Sequence, residues 1–131
     1  MNNSRESLPV RVLIADDDPI LRVGLEDYLS SAYSFQVDVV ATGEEALERV
    51  EQSETGYYTV VVLDHYFEEG PDGLEVLPAI RTLRPNLPVI LLTGKAFEIG
   101  VEALRLGAYS YLTKPIANEQ LGSMIKGLLQ Q

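Results

Sequence analysis

The sequence predicts an α/β protein: a doubly wound, five-stranded parallel sheet flanked by five helices. Three observations carry that prediction. Short apolar runs rich in Val, Ile and Leu alternate along the whole chain with stretches of helical periodicity. Runs such as VRVLIA and TVVVLD are apolar on successive residues, as strands covered on both faces must be. No repeat, linker or low-complexity tract interrupts the 131 residues, a length suited to one core, so residues 1–131 are read as a single domain. Right-handed crossovers then leave few topologies, and doubly wound ones dominate.

The elements follow in order. Val10 to Ala15 is the first strand, and ILRVGLEDYLSS behind it places Leu21, Leu25, Tyr28 and Leu29 on one helical face. Asp18 followed by Pro19 reads as an N-cap with proline at the first helical position. Phe35 to Val40 is the second strand, and TGEEALERVEQ the second helix, with Thr42 and Glu45 spaced as a capping box. Thr59 to Asp64 is the third strand. The turn GPDG leads into LEVLPAIRTL, where Asp72 caps, Glu75 holds the capping-box position and Pro78 invites a kink. Pro88 to Thr93 is the fourth strand. FEIGVEALRLGA is a weaker helix, lowered by Gly100 and stopped by Gly107. SYLT is a short fifth strand, and the closing helix carries Leu121, Met124, Ile125, Leu128 and Leu129 on one wide stripe.

Composition narrows the function classes. With no cysteine, disulfides, thiolate zinc sites and cysteine nucleophiles are excluded, and a reducing, cytoplasmic setting is expected. The opening MNNSRESLPV has no signal-peptide apolar region, and no later run approaches a membrane span. A formal charge of −10 should repel nucleic acid and anionic lipid, so neither DNA binding nor membrane binding is expected.

Open α/β sheets bind ligands at the carboxyl ends of their strands. Those ends supply Asp16 and Asp17 after the first strand, Asp64 at the third, Thr93 at the fourth, and Lys114 just beyond the fifth. Converging carboxylates without histidine or cysteine partners favour a hard cation, Mg²⁺ rather than Zn²⁺. A hydroxyl and an ammonium nearby suit the peripheral oxygens of a phosphoryl group, and an aspartate can itself be a nucleophile that forms an acyl phosphate. His65, the single histidine, adjoins Asp64. As the next residue of a strand it is expected to point to the opposite side.

The acid pair in LIADDD, the acid closing VVVLD, then DGLEVL, PVILLTG and GAYSYLTKP, in this order and spacing, resemble the receiver domain of bacterial two-component response regulators. The likeness spans nearly the whole chain and implies a flavodoxin-like fold with strand order 2-1-3-4-5. It also implies that Asp64 is the phosphoacceptor and that Asp17 binds Mg²⁺ directly, with Asp16 acting through water. Tyr66 would add its backbone carbonyl to the metal, Thr93 would hydrogen-bond the phosphoryl group and Lys114 would pair with it. Tyr111 matches the aromatic position that rotates inward on phosphorylation, as Thr93 shifts toward the site. The sequence departs from the family pattern in HYFEEGPDG, one residue longer than usual with Glu68 where proline is common. It departs again between Thr93 and Gly107, one residue shorter, so the fourth helix is expected to begin irregularly.

The resemblance implies a phosphorelay switch rather than an enzyme acting on a separate substrate. A histidine kinase or phosphotransfer protein presents phosphohistidine, the domain catalyses its own modification, and the face of helix four, strand five and helix five repacks, with a homodimer on that face one outcome. Two other readings compete. A Mg²⁺-dependent aspartyl-phosphate phosphatase would want a second aspartate where Tyr66 stands, and a pseudo-receiver docking module would not need Asp17, Asp64, Thr93 and Lys114 intact.

Overall fold

The structure, a computed structural model, describes residues 9–130. The polar opening stretch, residues 1–8, and Gln131 at the end of the predicted last helix lie outside the described residues. The elements are β1 (Arg11–Ala15), α1 (Pro19–Tyr33), β2 (Gln36–Val40), α2 (Gly43–Gln52), β3 (Val60–Asp64), α3 (Gly73–Leu83), β4 (Val89–Thr93), α4 (Ala96–Arg105), β5 (Ser110–Thr113) and α5 (Asn118–Leu129). All strand pairs are parallel, in the order β2-β1-β3-β4-β5.

Side-chain alternation along the central strands builds two separate cores. Leu13, Ala15, Val61, Leu63, Val89 and Leu91 face α2, α3 and α4, meeting Ala46, Val50, Val76, Leu77, Ile80 and Ala103. Val12, Ile14, Val60, Val62, Ile90 and Leu92 face α1 and α5, meeting Leu25, Leu29, Leu121 and Ile125. Both sheet faces are thus covered, which is why these strands carry no polar alternation.

The helix starts obey the predicted caps. The Ile20 N–H donates to Asp18 Oδ1 at 3.0 Å, with Pro19 opening α1. Thr42 with Glu45, and Asp72 with Glu75, form reciprocal capping boxes on α2 and α3. Proline at position 78 lies within α3 without ending it. At its start α4 differs: Lys95 is its N-cap and makes no side-chain cap bond, in keeping with the shortened connection. Its C-cap is Leu106, and Gly107 stops it as expected, with a φ of +104° and the Ala108 N–H turning back to the Ala103 carbonyl at 2.9 Å. Gly100 has a further reason beyond propensity. A Cβ there would lie 2.3–2.5 Å from three ring atoms of Tyr111, so the glycine is a notch on α4 that seats the ring. Among the described residues no helix is long and apolar enough to cross a membrane.

Candidate functional site

The carboxyl edge of the sheet gathers the side chains that the strand ends supply. Asp16 is the first residue beyond β1 and is fully buried. Its N–H donates to the Val40 carbonyl, tying it to the end of β2, and its Oδ1 accepts from the Asp18 N–H at 2.8 Å. Its carbonyl accepts from Arg22 Nη1 of α1 at 2.7 Å. Asp64 closes β3 with 4% of its surface exposed. Lys114 follows β5, and its Nζ sits 3.0 Å from both Asp16 Oδ2 and Asp64 Oδ1. Asp17 is half-buried at the rim. One oxygen from each of Asp16, Asp17 and Asp64 lies within 4.8 Å of the others.

Two carboxylates share one ammonium here with a third beside them, and the electrostatics reflect it. Burial pushes the Asp64 carboxyl up to about 6; repulsion from Asp16, and less so from Asp17, adds to the rise, and the Lys114 hydrogen bond and charge oppose it. For Lys114, burial works to lower its value, but the hydrogen bonds to Asp16 and Asp64 outweigh it and hold the ammonium above its ordinary range. The donor set is all oxygen with an excess of negative charge, which fits a hard divalent cation such as Mg²⁺ and gives a soft one no ligand.

The lengthened loop after Asp64 is pinned rather than loose. Phe67 is buried in the α2–α3 core, the Glu68 N–H donates to Asp17 Oδ2 at 3.0 Å, and Tyr66 stands 64% exposed at the rim. The pair Asp72-Gly73 has a geometric cause as well as a capping one. The Gly73 N–H donates to the His65 carbonyl at 2.7 Å, and a Cβ at this position would lie 2.2 Å from the Asp64 carbonyl oxygen.

Thr93 ends β4, fully buried, and its Oγ1 accepts from the Lys95 N–H at 3.0 Å. Its other neighbour is His65 Nδ1, at 3.3 Å. The expectation that His65 points away is therefore corrected. β3 ends at Asp64, so strand alternation does not extend to the next residue, and the ring turns toward the end of β4. Arg22 also escaped the sequence reading, which looked only for the apolar face of α1. The structure brings Asp16, Asp17, Asp64 and Lys114 together, ends the neighbouring strand β4 at Thr93, and puts Tyr66 at the rim. Tyr111 is set apart, half-buried on β5 against Gly100 of α4.

A doubly wound α/β domain with an acidic pocket and a lysine at the carboxyl edge of its sheet is the architecture of a signalling receiver. The comparisons with known proteins agree. Residues 12–126 match the family model described as response regulator receiver domain. The chain is 36% identical over 124 residues to the transcriptional regulatory protein BasR of Escherichia coli strain K12, covering 93% of this chain and 53% of that protein. The receiver domain of the Francisella response regulator 1452 superposes with a TM-score of 0.83 at 29% identity, covering 92% of this chain and 97% of that one. A CheY-like receiver domain protein from Methanospirillum hungatei JF-1 gives 0.85 at 28% identity, covering 94% and 95%. The chain belongs to the response regulator receiver domain family. It spans about half the length of the curated relatives it matches. Receiver domains are signalling domains of two-component systems, partnered by histidine kinases or phosphotransfer proteins, and they bind Mg²⁺ at an acidic pocket.

Proposed function

We propose that residues 1–131 form one receiver domain whose Asp64 is the phosphoacceptor of a two-component relay operating in the cytoplasm. The observation that carries this is the buried Asp64 carboxylate, 3.0 Å from a lysine it shares with Asp16 and beside one further acid, Asp17. An Asp64 oxygen forms the new O–P bond as the N–P bond of the partner's phosphohistidine breaks, and the departing imidazole keeps that electron pair. With its carboxyl pushed up only to about 6, Asp64 is mostly ionised near neutral pH and able to attack.

Asp16, Asp17, Asp64 and the Tyr66 carbonyl would hold Mg²⁺, which when bound supplies counter-charge for the phosphoryl oxygens. Lys114 turns from the Asp64 carboxylate to the phosphoryl group, and the Thr93 hydroxyl donates to it. Tyr111 and the face of α4, β5 and α5 repack in response, as the bistable element of the switch. Phe97, Val101 and Leu104, exposed at i, i+4 and i+7 of α4, support that face as the partner or homodimer surface.

Incubation with acetyl phosphate should label the protein only when Mg²⁺ is present, and Asp64→Ala should abolish the label. Asp17→Asn should raise the Mg²⁺ concentration needed. Equal labelling of Asp64→Ala on another aspartate would overturn the assignment.

A further inference from the structure

We infer that His65 is a latch on the Thr93 hydroxyl, holding it in the resting position and opposing its transfer to the phosphoryl group. The inference rests on the phosphoacceptor reading and adds a positioning residue to it. Thr93 Oγ1 has one hydrogen to give, and it already accepts from the Lys95 N–H at 3.0 Å. The atom placed to take that hydrogen, with the ring proton on Nε2, is His65 Nδ1, 3.3 Å away. Thr93 is fully buried, so water does not compete for the contact.

The reach of the ring is fixed by its own backbone. The His65 N–H donates to the Leu92 carbonyl at 2.8 Å, and the His65 carbonyl accepts from the Gly73 N–H at 2.7 Å. Both bonds bind the residue to elements that flank the acceptor, β4 on one side and the start of α3 on the other. A hydroxyl donating to His65 cannot also donate to a phosphoryl oxygen on Asp64, so the two contacts exclude each other. The histidine contact belongs to the resting state and the phosphoryl contact to the modified one. His65 therefore sets how much the phosphoryl group must gain before Thr93 moves.

The chain has a single histidine, so a ¹⁵N-histidine label reports this ring alone. In the metal-free chain Nδ1 should be the unprotonated nitrogen and show the shift of a hydrogen-bonded acceptor. Thr93→Val should remove that shift in the metal-free chain. A proton on Nδ1, or no response to Thr93→Val, overturns the latch whether or not the phosphoacceptor reading stands. The second arm is the affinity for beryllium trifluoride with Mg²⁺, followed by fluorine NMR. His65→Leu should bind about fivefold more tightly, the worth of one net hydrogen bond, while His65→Asn, which keeps a polar atom near the Nδ1 position, should stay near the parent. In a Thr93→Val background His65→Leu should have no effect, and an equal gain there, or no gain in the parent, overturns the proposal. If the parent chain fails to bind the analogue through Asp64, the phosphoacceptor reading falls, and with it the opposing role of the latch.

Discussion

Both edges of the sheet carry charged and polar side chains but balance them differently. Around the amino edge, charged groups meet local partners. Arg84 donates to the carbonyls of Val50, Ser53 and Leu83. Tyr58 donates to Asp38 at 2.7 Å, and burial together with that bond pushes the phenol up to about 12. Arg49 lies 3.7 Å from the same carboxylate, and Arg11 stacks 4.4 Å over the Tyr57 ring. At the carboxyl edge every buried polar side-chain atom also has a hydrogen-bond partner among the described residues, yet one lysine pairs with two acids and a third carboxylate, Asp17, stands beside them. Hydrogen-bond satisfaction therefore does not separate structure from function in this fold. The unbalanced charge does, because only a cation from outside can answer the excess of carboxylates.

Four changes would sharpen or break that contrast, the largest first. Gly73→Ala forces a Cβ to within 2.2 Å of the Asp64 carbonyl oxygen and 3.0 Å of His65 Cα, both backbone atoms. It should cost about 3 kcal/mol of stability in urea unfolding and displace the acceptor as well. A loss within experimental error would mean that the loop after β3 yields more readily than its pinning by Phe67 implies.

The second concerns pH in the metal-free protein. The folded Asp64 value, about 6, lies above that of an ordinary carboxylate, so the folded chain binds the extra proton between the two. The stability this group contributes is complete below about pH 4 and is lost as pH rises through about 6, a loss on the order of 2 kcal/mol. Asp64→Asn should remove that part of the profile, so the difference between the two unfolding curves should widen in favour of the variant over that window. Parallel curves would show that the site bears no excess charge.

Arg84→Ala tests the opposite edge. Losing its bonds to three carbonyls should cost about 1–2 kcal/mol in thermal or urea unfolding while leaving beryllium trifluoride affinity unchanged. A changed affinity would show that the two edges communicate. The smallest effect is expected from Tyr66→Asn. The ring stands exposed at the rim, and on the proposal that it screens the acceptor from water the variant should lose phosphate faster by about threefold, well under 1.4 kcal/mol of barrier. Decay rates of the phosphorylated forms, followed after removal of the donor, measure it directly.

The sequence by itself determined what short-range physics controls. Uninterrupted apolar runs marked strands buried on both faces, and side chains three residues apart marked the two capping boxes and the Asp18–Pro19 start. The strand ends then named Asp16, Asp17, Asp64, Thr93 and Lys114, because a parallel sheet brings all its carboxyl ends to one edge whatever the details of packing. Tertiary structure decided the rest. Lys114 reaches Asp16 across 98 positions of sequence, and His65 reaches Thr93 across 28. Gly100 read as a weak point in a helix until the Tyr111 ring filled the space that its missing side chain leaves. Such contacts depend on where separate strands end relative to one another and on which side chain occupies the gap between them. Periodicity carries neither, since it repeats over a few residues and is blind to what the chain brings back from far along its length.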